Sequence, residues 1–157
     1  MAQTTFSGPV RSNRGFTAAG TNAIVNITAE TTLTYADHVG RIIKINDADG
    51  AITLPTISND TLGAKYVFFV GTDCTDCDIK TDGTDKFVGS LSVMEASGLT
   101  ETYAPAASND VISMNGTTTG GDKGSYVEIT AIEDNVYLVQ GMLLGSGEAV
   151  TPFADSE

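Results

Sequence analysis

The chain has 157 residues, enough to bury one hydrophobic core without the disulfides or metal ions that very small domains need. Its formal net charge of −12 argues against partners rich in phosphate, so neither nucleic acid nor a membrane surface is an expected partner. Thr (22) and Gly (17) are frequent, and charged residues make up 18%, below the roughly 25% of an average soluble domain. This composition is typical of strands and turns.

Residues 1–21 are predicted to form an extended N-terminal arm. Gly8, Pro9 and Gly15 interrupt any periodic pattern, and Phe6 and Phe16 are aromatic anchors at its two ends. Residues 1–29 contain two arginines and no acidic residue, so all of the negative charge belongs to the rest of the chain. The arm is therefore basic and the body acidic.

Residues 22–145 are predicted to form a single β domain, because their apolar residues recur with a period of two and turn residues separate the segments. The pattern indicates an all-β fold, either a β-sandwich or a partly open barrel of jelly-roll-like type. Residues 66–70 are apolar on both alternating faces, which predicts a central strand covered on each side. Only residues 90–97 have the composition for a short helix.

Residues 146–157 are predicted to be a short C-terminal tail. The Gly-Ser-Gly sequence at residues 145–147 favours a flexible joint, and Pro152 and Phe153 follow it as an isolated apolar anchor.

The sequence contains no recognisable set of catalytic residues. The single histidine, His38, lies in a segment whose Asp and Gly favour a turn, and no Gly-x-Ser-x-Gly motif is present. Residues 116–123 are rich in glycine, but Asp122 stands where a phosphate-binding loop needs its Gly-Lys ending. We therefore expect a protein that is not an enzyme and needs no cofactor.

Cys74 and Cys77 form the one Cys-x-x-Cys motif of the chain. A structural zinc site needs four ligands, and there is no second cysteine pair to complete one. Acidic neighbours should raise the thiol pKa values, which disfavours redox catalysis. Two alternatives stay open: two free thiols on a hairpin, or a local disulfide.

Five aspartates are concentrated around this motif, at Asp73, Asp76, Asp78, Asp82 and Asp85. Calcium binds several such oxygens at once, but the spacing does not fit an EF-hand loop. A solvated acidic loop is the favoured interpretation and calcium the alternative, so no metal ligand is assigned.

Four segments carry a resemblance to a known family: LTYADHVGRIIKIN (33–46), AITLP (51–55), GAKYVFFV (63–70) and EITAIEDNVYLVQG (128–141). In these segments the chain resembles the small capsid decoration, or cement, proteins of tailed bacteriophages. The opening from Phe6 to Phe16 also looks like those of marine phage virion proteins.

The resemblance implies a structural virion protein on the outer capsid surface, often a homotrimer, that bridges neighbouring subunits of the major capsid protein. An arm that orders on docking can wrap a large surface or add a strand to an exposed sheet edge. The residues expected to bind the partner are Phe6, Pro9, Val10, Arg11, Arg14, Phe16, Pro152 and Phe153.

An alternative function is that of a head-fibre or tail-associated adhesin-type module that binds host-surface carbohydrate, since β-sandwiches often present loops for this purpose. The chain has no Trp, and several of its Tyr and Phe residues occupy strand positions that favour burial. Sugar-binding platforms prefer exposed aromatic side chains, so the decoration function is favoured.

Overall fold

The computed structural model of the chain describes residues 19–156. Most of the predicted arm lies outside these residues, including Phe6, Pro9, Val10, Arg11, Arg14 and Phe16. Within residues 19–156, no helix is long and apolar enough to cross a membrane.

The described residues form an all-β fold with one short helix, as the alternating pattern predicted. Two 3₁₀ turns, Thr21–Ala23 and Asn59–Thr61, complete the regular structure. The elements in chain order are β1 (Ile24–Ile27), β2 (Thr31–Thr32), α1 (Tyr35–His38), β3 (Ile42–Ile45), β4 (Ala51–Thr53), β5 (Lys65–Val70), β6 (Cys77–Lys80), β7 (Lys86–Met94), β8 (Thr100–Tyr103), β9 (Val111–Met114), β10 (Tyr126–Glu133), β11 (Val136–Leu144) and β12 (Phe153–Ala154).

The strands build a sandwich of two sheets. One sheet has seven strands in the order β1-β3-β5-β10-β11-β7-β8, and the other has five in the order β12-β9-β6-β4-β2. From β1 to β6, successive strands belong to alternate sheets. As a result β1, β3 and β5 are parallel neighbours in the seven-stranded sheet, and β2, β4 and β6 are parallel neighbours in the five-stranded sheet. The β10–β11 hairpin then pairs β10 with β5 and β11 with β7.

The core lies between the two sheets and is filled from alternate strand positions. Its largest fully buried side chains include Tyr66, Phe68, Phe87 and Tyr137. The hydroxyl of Tyr137 donates a 2.6 Å hydrogen bond to the carbonyl of Pro55, so its polar end is satisfied. Burial raises the pKa of Tyr137 well above its ordinary value.

Residues 90–97, the only segment whose composition allowed a short helix, do not form one. These residues continue β7 as far as Met94 and then turn. Leu91 and Val93 alternate into the core, with 0% and 1% of their surface exposed, and β7 pairs in parallel with β11 over its whole length. Burial at a period of two outweighs the weak helix propensity of the segment.

The prediction for residues 66–70 is confirmed in part. They form an interior strand, β5, third in the seven-stranded sheet. Tyr66, Phe68 and Val70 point into the core, but Val67 and Phe69 lie on the outer face and are only half-buried. The cover expected on the second side is absent from the described residues.

The C-terminal segment packs on the sandwich. β12 pairs with β9 as an edge strand of the five-stranded sheet, with Phe153 opposite Ile112. Phe153 is 6% exposed, and its ring centroid lies 6.5 Å from that of Phe87. Pro152 is also buried, so in the described chain neither residue is offered to a partner.

Candidate interaction surface

The outer side of the seven-stranded sheet carries a cluster of apolar side chains. One row of directly opposed positions runs Ile24, Ile42, Val67, and the next runs Phe69, Tyr126, Met142. Opposed residues on one face of a sheet are close neighbours, so these six side chains are contiguous. We call Ile24, Ile42, Val67, Phe69, Tyr126 and Met142 the outer apolar face.

This face is open to solvent. Ile24 and Ile42 are each 44% exposed, Tyr126 41% and Met142 45%. Ile24, Ile42, Val67, Phe69 and Tyr126, together with Lys44, line a groove of about 360 Å³. A contiguous exposed apolar surface of this kind marks an interaction site more often than an isolated exposed side chain does.

The acidic side chain beside the face is already paired within the chain. Glu128, opposite Val67 in the register, accepts 2.8 Å hydrogen bonds from Lys65 Nζ and Gln140 Nε2. The bond from Lys65 holds the pKa of Glu128 below its ordinary value. Because both partners come from the same sheet, a protein covering the face would not leave this carboxylate unpaired.

The face also carries little charge in a chain that is strongly acidic. Along the two rows, Glu128 is the only acidic side chain and Lys44 the only basic one. In the described part of the chain Lys44 makes no ion pair. The negative charge therefore lies elsewhere on the molecule.

The two cysteines are free thiols, and both are buried, Cys74 at 2% and Cys77 at 0% exposure. A hydrogen bond with Cys74, reinforced by burial, raises the pKa of the Cys77 thiol far above its ordinary value. Of the two alternatives left open by the sequence, the structure contains the free thiols, and both are buried in the core.

Native protein is expected to react with a thiol reagent such as DTNB very slowly, because the thiolate is the reactive form and both sulfurs are shielded. Labelling in the folded state and in strong denaturant measures this directly. We expect two thiols to react promptly only after unfolding. Rapid reaction of the folded protein would contradict the burial of the pair.

The aspartates near the cysteines serve different local roles. Asp82 caps its turn, accepting from the hydroxyl of Thr56 at 2.6 Å and from the amide of Thr84 at 2.9 Å. Asp85 is fully buried and accepts a 3.0 Å bond from the amide of Ile57. Burial raises the pKa of Asp85. Within residues 19–156, no three His, Cys, Asp or Glu residues are grouped so as to hold a metal ion.

His38 ends the short helix α1 and is buried, with 8% exposure. Its Nδ1 lies 3.0 Å from the amide nitrogen of Thr34, the residue that caps the start of the helix. This local contact gives the histidine a structural role in the turn.

The glycine-rich segment at residues 116–123 is a loop closed on itself. Asn115 Oδ1 accepts from the amides of Thr117 and Thr119 at 2.9 and 3.1 Å. Two of the amides that a phosphate-binding loop could direct at its ligand are in this way already used by the chain.

The sequence did not identify the outer apolar face, because its six residues come from five strands. The available signal was the two-sided apolar pattern of residues 66–70, which supplies Val67 and Phe69. Comparisons of the chain with protein-family models, with curated proteins and with solved structures found no match.

Proposed function

We propose that this protein is a structural virion protein that binds the outside of the mature phage head and bridges neighbouring major capsid subunits. The observation that supports the proposal is the outer apolar face, a contiguous surface with little charge on an otherwise acidic domain. Such a surface suits contact with protein. The resemblance of the strand segments to decoration proteins supplies the choice of partner.

Decoration of this kind stabilises the capsid because binding is coupled to the expanded arrangement of its subunits. A protein that binds only the expanded arrangement of capsid subunits lowers the free energy of that arrangement by an amount that grows with the ratio of its concentration to its Kd. Contacts with two subunits at once add to the effect, because the second contact is intramolecular. No chemical reaction is required.

The N-terminal arm is the expected contact with the head. The 18 residues before Ala19 reach about 60 Å when extended, at roughly 3.3 Å per residue, which is far enough to touch a neighbouring subunit. Phe6 and Phe16 would fill apolar pockets, and Arg11 and Arg14 would pair with acidic groups of the capsid.

The adhesin alternative receives no separate support from the described residues. Tyr126 lies opposite Phe69 on the outer face, but Phe69 is half-buried, and the other exposed aromatic side chain of the described residues, Tyr35, belongs to α1. A sugar-binding platform would present several exposed rings together.

Cosedimentation with expanded, undecorated phage heads tests the proposal. The wild-type chain should bind saturably, and the double variant Phe6→Ser/Phe16→Ser should bind at least about tenfold more weakly, as expected for two interface anchors. A Gln3→Ala/Ser12→Ala variant changes the same arm without removing an anchor and should bind like the wild type. Failure of the wild type to bind would overturn the function, and undiminished binding by the Phe variant would overturn the role of the arm.

A further inference from the structure

We infer that Asp85 forms a pH-sensitive contact between the turn that joins β6 to β7 and the segment at Ile57, stable while its carboxyl group is protonated and weakened when the group ionises. The inference concerns the isolated protein and does not depend on binding to phage heads. It rests on the burial of this carboxyl group, on its hydrogen bonds and on the charges around it.

Asp85 ends the turn between β6 and β7. Its backbone carbonyl accepts a 2.7 Å hydrogen bond from the hydroxyl of Thr81, and its backbone amide donates to Asp82 Oδ1 at 3.2 Å. Its side chain contacts a different part of the chain, where Oδ2 accepts from the amide of Ile57 at 3.0 Å. One carboxyl group therefore connects this turn to the segment that precedes β5.

The carboxyl group is fully buried and only half satisfied. Asp85 is 0% exposed, and its Oδ1 has no hydrogen-bond partner among residues 19–156. An ionised carboxylate has about four acceptor sites, and burying its charge with a single donor is costly. The protonated acid carries no charge, so burial favours the protonated form.

The charged groups close to Asp85 act in the same direction as its burial. Burial raises the pKa of Asp85, the amide of Ile57 opposes this effect, and the negative charges of Asp82 and Asp134 add to it. Tyr137 of β11 also lies close to Asp85, but burial raises its pKa, so it is uncharged near neutral pH. These neighbours therefore supply no positive charge that would stabilise the carboxylate.

The lysine next to Asp85 in the chain is already paired. Lys86 Nζ donates to Asp110 Oδ2 at 2.7 Å and to the carbonyl of Gly83 at 2.8 Å. The two ion pairs of the described residues, Lys86 with Asp110 and Lys65 with Glu128, do not include Asp85. The ionised form of Asp85 is therefore a buried charge without an ion-pair partner in the described chain.

A carboxyl group whose pKa is higher in the folded state destabilises the fold as it ionises. The stability it contributes is fully present below the unfolded-state pKa of about 3.9 and is lost as the pH rises through the folded-state value. Ionisation favours an open form of the turn, in which water reaches Oδ1. Asp110 has a lowered pKa and acts in the opposite direction, so the effect of Asp85 is measured against a matched variant.

Carbon-13 NMR of the side-chain carboxyl groups, recorded on the full-length wild-type chain as a function of pH, tests the inference without any substitution. The Asp85 signal should titrate above the ordinary aspartate pKa of about 3.9. Asp82 is the internal control. Burial by itself would raise the pKa of Asp82, but hydrogen bonds from the hydroxyl of Thr56 and the amides of Asp85 and Thr84 outweigh it, so this signal should titrate below the ordinary value. An Asp85 signal at or below about 3.9 would overturn the inference.

Urea denaturation of Asp85→Asn and the wild type, near pH 3.5 and near pH 7, measures the consequence for stability. Asn keeps the shape of the side chain and cannot ionise, so the midpoint of the variant relative to that of the wild type should rise between the two pH values. Asp82→Asn, three residues away, should show the opposite trend, because the carboxylate of Asp82 is the stabilised form. A difference between Asp85→Asn and the wild type that does not change with pH would also overturn the inference. No heads are present, so both outcomes are independent of the head-binding test.

Discussion

Replacing Phe153 with Ala is expected to lower the free energy of unfolding by about 3–5 kcal/mol, the range for deletion of a buried aromatic ring. Phe153 is 6% exposed, packs at 6.5 Å from the ring of Phe87 and pairs with Ile112 through β12. Its loss leaves a cavity beside Phe87 and weakens the attachment of the last strand. Urea denaturation, followed by circular dichroism, measures the effect.

Val150 provides the matched control from the same segment. It is 46% exposed, and its backbone amide donates to the carbonyl of Thr118, a bond that Ala retains. Val150→Ala should change the free energy of unfolding by less than about 0.5 kcal/mol. Equal, small effects at both positions would show that the C-terminal segment is a free tail, as its Gly-Ser-Gly joint had predicted.

Replacing Asp110 with Ala is expected to lower the free energy of unfolding by about 1.5–3 kcal/mol, the range for hydrogen bonds to a charged group, because the Lys86 side chain is 33% exposed and stays partly solvated. Asp110 is 3% exposed and accepts from Lys86 Nζ at 2.7 Å. It also accepts from the amide and hydroxyl of Ser156 at 2.6 and 2.8 Å. The side chain therefore joins β7, β9 and the C-terminal residues, and its removal leaves Lys86 Nζ only its 2.8 Å bond to the carbonyl of Gly83.

The lowered pKa of Asp110 predicts that the stability of the fold depends on pH. Burial by itself would raise the pKa of Asp110, but the hydrogen bonds from Lys86 and Ser156 outweigh it and lower the pKa below the ordinary value. A carboxyl whose pKa is lower in the folded state stabilises the fold above the unfolded-state pKa of about 3.9, and this contribution is lost as the pH falls through the folded-state value. The destabilisation by Asp110→Ala should therefore be largest near neutral pH and shrink below pH 4.

Lys65→Ala is the control for this pair. Lys65 pairs with Glu128 at a similar distance, 2.8 Å, but its side chain is 51% exposed. Ion pairs with an exposed member contribute about 0–1 kcal/mol, and Glu128 keeps its bond from Gln140. Comparable losses from Asp110→Ala and Lys65→Ala would contradict the structural role assigned to Asp110.

The fold class could be predicted from the sequence because it depends on local alternation. Segments such as residues 127–131 carry apolar residues at every second position, and this pattern places them on a sheet wherever they pair. Strand order could not be predicted in this way. The parallel pairing of β1, β3 and β5 joins segments separated by long connections, and nothing local in the sequence specifies it.

The errors in the sequence analysis have a common cause in tertiary packing. Phe153 looked like an isolated anchor because its neighbours are polar, yet the open edge of β9 gives it a pairing partner and a place in the core. Residues 66–70 looked like a strand covered on both sides because both faces are apolar. The described chain covers only the core-facing side of this strand. The side chains on its other side, Val67 and Phe69, belong to the outer apolar face.

The central claim is that the protein stabilises the mature phage head by binding its outer surface. The most direct measurement is cosedimentation of the purified wild-type chain with expanded, undecorated heads and, in parallel, with unexpanded proheads. The account predicts saturable binding to expanded heads and none to proheads, since stabilisation by linkage requires a preference for the mature arrangement. Equal binding to both, or binding to neither, would contradict it.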